Sequence, residues 1–252
     1  MKNPFQYGGI VEGAAFCNRK KELADLTAAF ENSEKLFLYS ERRLGKTSLV
    51  HTALRQLPRG RYASAYIDLW PTDGELSFVA ATARAITESM SSTAGQLLDM
   101  AKQLFSRLTP SVTADAEGKP KVTFGFNMTG QPGPEIEEVL AAPAKIAERG
   151  KRKVVIVFDE VQQVLEYESD LVERRLRSII QKHKDVSYIF LGSRKHLIQK
   201  MFLDRSRPLY RAAGHYPLGS IATEHWIPFI ARKFSRGRKG DCRRRDSRGS
   251  AS

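Results

Sequence analysis

Residues 154–158 form an unbroken apolar run, Val154-Val155-Ile156-Val157-Phe158, and Asp159-Glu160 follow at once. A strand that is apolar at every position must be covered on both faces. That is the condition of a parallel strand inside a sheet flanked by helices. Two further runs share this form. Leu36-Phe37-Leu38-Tyr39 is stopped by polar residues and Gly45, and residues 186–191 lead into Gly192-Ser193. Residues 62–69 read as another strand, with Asp68 near its end. Segments of helical periodicity lie between the strands. Residues 20–30 carry Leu23, Leu26 and Phe30 at helical spacing. Residues 47–57 carry Leu49, Val50, Ala53, Leu54 and Leu57, and Pro58 and Gly60 close them. Residues 76–105 predict one or two helices. Residues 134–149 predict another, with Pro143 placed to start a second. Residues 171–183 and 195–202 are helical, 209–218 are mixed, and a last helix over 223–234 begins on a Thr cap. The alternation predicts an α/β fold of three layers, a mainly parallel sheet flanked by helices.

One stretch breaks the alternation. Residues 109–134 hold Pro110, Gly118, Pro120, Gly125, Gly130, Pro132 and Gly133, and predict a surface insertion. Within it, Val122-Thr123-Phe124-Gly125-Phe126 alternates like a hairpin strand.

The formal net charge of +13 suggests a nucleic-acid partner, but its distribution weakens the suggestion. From Arg232 to the end there are nine Arg or Lys against two Asp, a net of +7, so the other 231 residues carry +6. That is ordinary for a soluble domain. Beyond Phe234 the chain is Arg, Lys, Gly, Ser and Asp, with Cys242 and Ala251 the exceptions. Such a segment buries too little apolar surface to offset chain entropy, so residues 235–252 are expected to be a basic, disordered tail. Cys17 and Cys242 stand far apart and predict neither a disulfide framework nor a metal site. No apolar run reaches the roughly 18 residues of a membrane span, and the start has no apolar signal core. A soluble, cytoplasmic protein is expected.

The strand at 36–39 runs into Ser40-Glu41-Arg42-Arg43-Leu44-Gly45-Lys46-Thr47, and a predicted helix follows. This is the context of a P-loop. Backbone N–H groups of such a loop point at phosphates, and Gly45 allows close approach. Lys46 supplies a point charge to the β and γ phosphates, and the Thr47 hydroxyl is a hard oxygen ligand for Mg2+. Ser40 stands where a Gly is usual, a place Ser tolerates when its φ is negative. Asp159, at the end of its strand, is placed to organise Mg2+ through water, and Glu160 to orient and deprotonate an attacking water. In a parallel sheet Ser193 emerges at the same edge. Two readings stay open for it: a hydrogen bond to the γ-phosphate or the attacking water, or a cap on the helix that follows.

In these motifs the chain resembles the archaeal-type ATPases within the STAND and AAA+ branch of P-loop NTPases. The resemblance covers roughly residues 3–234. It is carried by Asn3-Pro4-Phe5…Gly8, by Phe16-Cys17-Asn18-Arg19-Lys20-Lys21-Glu22-Leu23, and by Arg42-Arg43-x-Gly45-Lys46-Thr47-Ser48-Leu49. Asp159-Glu160, Leu191-Gly192-Ser193 and Met201-Phe202…Arg207-Pro208-Leu209-Tyr210-Arg211 continue it. Glu41 departs from the usual Pro. The resemblance implies ATP rather than GTP, and no Asn-Lys-x-Asp guanine motif is present. It also implies that Asn18 and Arg19 lie near the adenine. Arg207 or Arg211 would act on the γ-phosphate of a neighbouring subunit, which implies a homo-oligomer. The implied organisation is an N-terminal segment over 1–30, a P-loop core over 31–222, the start of a helical lid over 223–234, and the tail. Because relatives continue into a full lid, truncation or a frame change near residue 235 is expected.

Three functional readings remain from sequence. The first is a Mg2+-dependent ATPase working as a switch or remodelling motor on a protein client or DNA. The second is a nucleotide-binding protein without efficient turnover. The third is a nucleic-acid-binding module whose tail holds phosphates.

Overall fold

The computed structural model describes residues 5, 9–11, 13–91, 93–126 and 132–246. Asn3, Pro4 and Gly8 of the N-terminal motif, Gly130 of the insertion and the last six residues of the tail lie outside the described residues. Five strands make one sheet: β1 (Lys35–Tyr39), β2 (Tyr62–Asp68), β5 (Lys153–Asp159), β6 (Val186–Gly192) and β7 (Gly214–Pro217). Their order is β2-β5-β6-β1-β7, and every pairing is parallel.

The apolar run of β5 explains why both faces are covered. Val154, Ile156 and Phe158 point into one core, with Phe37, Ile67, Phe78 and Phe190. That core is closed by α3 (Glu75–Met90), α5 (Gly133–Gly150), α6 (Leu171–Ile180) and α7 (Lys195–Leu203). Val155 and Val157 point into the opposite core, with Leu38, Ile189 and Leu191. There α1 (Lys20–Glu31) supplies Leu26 and Phe30, and α2 (Lys46–Gln56) supplies Leu49, Val50 and Ala53. All five residues of the run are at most 1% exposed. Burying a side chain of this size contributes about 1.5–3 kcal/mol, so this strand anchors both layers.

The insertion is a hairpin of β3 (Leu108–Ala114) and β4 (Pro120–Phe126), paired antiparallel. It follows α4 (Ala94–Leu104) and is not wholly superficial. Leu108 and Val122 are buried, and the Phe105 and Phe124 rings meet edge-to-face at 5.6 Å.

Three expectations differ from the structure. Helix α5 runs unbroken through Pro143 instead of restarting there. The buried residues Ile136, Val139 and Leu140 before it, and Ile146 and Ala147 after it, pack into one core. Continuity buries both sets, which offsets the cost of the missing hydrogen bond. The mixed stretch contains β7, an edge strand pairing with β1 from Leu36↔Gly214 to Tyr39↔Pro217. Gly, His, Tyr and Pro carry no apolar signature, and Pro is tolerated at an edge. The last helix, α8 (Thr223–Asp246), continues past Phe234 into the basic stretch expected to be disordered. Arg and Lys are good helix formers, and no Pro follows Pro228. No helix among the described residues is long and apolar enough to cross a membrane.

Gly192 ends β6 in a tight place, since a Cβ there would overlap the side chains of Ile198 and Gln162. Gly192→Ala is therefore expected to cost about 1–3 kcal/mol by overpacking. Urea unfolding measures this, as a lower midpoint at unchanged slope.

Candidate functional site

The C-terminal ends of β1, β6 and β5 lie side by side, because β6 pairs with both neighbours. Tyr39 is in register with Gly192, and Phe158 with Phe190. The residues that leave these strands, Ser40, Ser193 and Asp159-Glu160, therefore gather at one edge.

The loop after β1 turns through two left-handed residues, Arg43 (φ 66°) and Gly45 (φ 83°), and Gly45 caps α2. A non-glycine residue in this region costs roughly 1–2 kcal/mol, which Arg43 bears. Ser40 is not among the positive-φ residues, so Ser meets no backbone penalty where Gly is usual. Its side chain has work of its own: Ser40 Oγ donates to the Glu41 carbonyl at 2.8 Å. It also accepts from Lys46 Nζ at 3.1 Å, and the Ser40 carbonyl accepts from the same ammonium at 3.4 Å. Lys46 is buried at 7% exposure, and both of these acceptors are neutral. Burial holds its pKa below the ordinary lysine value, partly opposed by the Glu160 and Asp159 carboxylates. Such a cation is ready for an anion.

Asp159 is also buried. Its Oδ2 accepts from the Thr47 hydroxyl at 3.4 Å and from the Tyr66 hydroxyl, and its Oδ1 accepts from the Glu160 N–H at 2.8 Å. Burial raises its pKa above the ordinary aspartate value, against the hydrogen bonds from Tyr66 and Glu160. Burial, with Asp159 beside it, holds the Tyr66 hydroxyl far above the usual tyrosine range.

Glu160 sits in the left-handed region at φ 51°. That local strain turns its carboxylate toward β6, where Oε2 accepts from Ser193 Oγ at 2.9 Å and from the Gln162 amide. Strain of this kind concentrates at functional sites. The structure thus brings Lys46, Thr47, Asp159, Glu160 and Ser193 to one edge. A buried carboxylate beside a hydroxyl suits a hard cation. Among the described residues, no group of three or more His, Cys, Asp or Glu is placed to hold a metal. The donors present fit Mg2+ shared with phosphate oxygens better than an all-protein cage.

The other expected residues fall elsewhere. Arg19, itself left-handed at φ 69°, is buried, and its guanidinium donates to the Leu44 carbonyl at 3.0 Å and the Gly219 carbonyl at 2.7 Å. It pairs with Glu22 at 2.7 Å. Arg19 therefore ties the phosphate loop to the segment after β7. Asn18 precedes it, also left-handed at φ 53°. Ser48 is buried and accepts the Val11 N–H at 2.9 Å, docking the N-terminal segment on α2. Glu41, Arg42 and Arg43 are exposed on the loop, and Leu44 is half-buried. Arg207 pairs with Glu173, which is fully buried, so its guanidinium is engaged within the subunit. Arg211 is exposed, left-handed at φ 51°, and lies over its neighbour's ring, Tyr210, at 5.1 Å.

Sequence reasoning missed Tyr66 and Gln162. Tyr66 had a signal: Tyr62, Ser64, Tyr66 and Asp68 alternate with Ala63, Ala65 and Ile67, which face the core of α3 and α5. A polar and aromatic stripe on a buried strand marks the face toward α2. Gln162 lies in the short 3-10 helix Val161–Glu166, which had no periodic signature.

Ionised Asp159 is costly to the fold. Its folded pKa is raised, so the folded state binds more protons than the unfolded state in the window above about pH 4. Stability is thus lost as pH rises through that window. Asp159→Asn is expected to raise the melting temperature at pH 7, with the gain shrinking toward pH 4. Thermal unfolding across pH checks it; no gain at pH 7 would contradict the assignment.

The sequence matches the model of a family described as an ATPase domain predominantly from Archaea, over residues 16–238. No curated protein matches the sequence. Among solved structures, the Walker-type ATPase of Pyrococcus abyssi superposes with a TM-score of 0.64 at 18% identity, covering 94% of this chain and 63% of that one. The Aeropyrum pernix ORC1 protein in complex with DNA gives 0.56 at 13% identity, covering 89% and 51%. The Aeropyrum pernix ORC2 protein in ADPNP–ADP complexes gives 0.53 at 10% identity, covering 85% and 51%. The chain thus spans less than two thirds of the length of these structures.

Proposed function

Because the chain belongs to the family of ATPase domains found predominantly in Archaea, we propose that it binds ATP with Mg2+ at residues 40–47 and hydrolyses it. The observation that carries this reading is the convergence of buried Lys46, held among the described residues by neutral Ser40 oxygens, with Asp159 and Glu160 at the end of β5, one strand beyond β6. The backbone N–H groups of the loop and the start of α2 cradle the phosphates. Lys46 leaves Ser40 for the phosphate oxygens. Thr47 and Asp159 would hold Mg2+, which would supply neutralisation of phosphate charge. Glu160 orients a water and takes its proton. Ser193 donates to that carboxylate, and in this reading its hydroxyl turns to the γ-phosphate or the water. Arg19 ties the loop to the segment that leaves the adjacent edge strand β7.

The nucleotide cycle works a switch or remodelling motor in this reading. A second subunit completes the site through an arginine. Arg211 suits that role better than Arg207, whose guanidinium is engaged by buried Glu173.

Glu160→Gln removes the base and keeps the hydrogen-bonding shape. It should retain ATP affinity within a few-fold and lose about 100-fold or more in turnover. Lys46→Ala should weaken ATP binding itself. Calorimetric titration and a phosphate-release assay separate the two. Unchanged turnover in Glu160→Gln removes Glu160 as base; unchanged affinity in Lys46→Ala removes the loop as the site. Tight binding with negligible turnover by the unaltered protein would favour a nucleotide-binding role without hydrolysis.

A further inference from the structure

The charge outside the tail is not evenly spread. Sheet and helices return their helix-to-strand loops to the edge opposite the phosphate loop. Two of these loops are strongly basic: Arg59-Gly60-Arg61 before β2, and Arg149-Gly150-Lys151-Arg152-Lys153 entering β5. Two cavities open there. One, of about 460 Å3, is walled by Arg61, Lys151, Arg152 and Lys153, with the carboxylates Glu148 and Asp185. The other, of about 520 Å3, runs along β2 between the ends of α2 and α3, past Arg59, Tyr62, Ser64 and Met90, as far as His51 and Tyr66. Arg152 and the adjacent Arg61-Tyr62 pair join them.

Two polar groups at this junction lack partners. Tyr62 is only 6% exposed, yet its hydroxyl has no hydrogen-bond partner among the described residues. Arg152 Nε is buried and equally unsatisfied. The rest of that guanidinium meets the Met90 thioether, 3.3 Å from Nη2. Among the described residues, Arg59, Arg61, Lys151 and Arg152 form no ion pair, although Glu148 and Asp185 stand in the same wall. Arg61 lies 5.9 Å from the centre of the Tyr62 ring. Buried hydroxyls and guanidinium groups are ordinarily satisfied, so an orphaned pair inside a cationic groove points to a ligand.

We propose that this groove binds the phosphodiester backbone of a single-stranded nucleic acid, at a site separate from the nucleotide loop. Unpaired cations at spaced positions meet successive phosphates. Half-buried Leu54 and Met90 offer the apolar surface on which bases rest between them. The Tyr62 hydroxyl and Arg152 Nε donate to the strand. An acidic peptide added along β2 fits less well: Arg59, Arg61 and Arg152 gather at the strand's first residue, and the stretch beyond offers Ser64 and Tyr66.

The test is fluorescence anisotropy with a labelled oligo-dT of about 15 nucleotides, in the site-size range of single-strand binders, on the full chain saturated with MgATP so that the phosphate loop is occupied. Arg61→Glu with Lys151→Glu should weaken binding by about 10-fold or more, and should reduce the slope of log affinity against log salt by about 0.7 for each phosphate no longer neutralised. Tyr62→Phe should weaken binding several-fold without lowering the melting temperature, since the hydroxyl bonds no described protein group. Arg243→Glu with Arg244→Glu, in the basic tail, should leave most of the affinity in place. The proposal is overturned if the tail variant abolishes binding while the groove variants keep it. It is also overturned if polyglutamate or pyrophosphate displaces the oligonucleotide at equal charge concentration.

Discussion

Everything at the candidate site depends on the backbone pairing of β6 with β1 on one side and β5 on the other. That pairing places Ser193 between the phosphate loop and Asp159-Glu160. Register matters as much as order. A slip of one residue would turn every side chain to the opposite face and exchange the cores of β5. The alternation of Val154, Ile156 and Phe158 with Val155 and Val157, each set committed to its own core, prevents the slip. The hydrophobic effect thereby sets the position of a carboxylate that contributes nothing to it.

The site is built against local stability. Lys46 and Asp159 are both buried, and burial disfavours the charged form of each. Arg43 and Glu160 occupy left-handed backbone. These costs are borne by the surrounding packing and by short bridges such as Arg19, which reaches Leu44 and Gly219 together. The charged groups have local partners: Lys46 on Ser40, Glu160 on Ser193 and Gln162. Phosphate would replace the first partner with a better one, and that difference is a source of binding energy. The Ser at position 40 thus gives Lys46 a hydroxyl that a Gly could not offer.

Much of this is legible in the sequence, for identifiable reasons. Apolar runs closed by polar residues locate β1, β5 and β6, and parallel topology then places Lys46, Asp159 and Ser193 at one edge. What escapes lacks periodicity or depends on side-chain reach. β7 is four residues without an apolar pattern, and Gln162 sits in a 3-10 turn. Family resemblance puts Arg19 near the adenine, but its bonds close a contact with Gly219 that spans 200 positions, which no local pattern encodes. The same resemblance offers Arg207 to a neighbouring active site, whereas buried Glu173 holds its charge within the subunit. Apportioning the charge surplus by position along the chain hides the convergence of two loops, distant in sequence, beside Tyr62 and Arg152.

The central claim is that backbone amides of residues 41–47 hold the phosphates of ATP. Amide hydrogen exchange, followed by mass spectrometry with and without MgATP, reads those amides directly. The account predicts slowed exchange over 41–47, with smaller protection at the ends of β5 and β6, and no change over 108–126. Unchanged exchange in the loop at saturating MgATP, or protection confined to other segments, would contradict it.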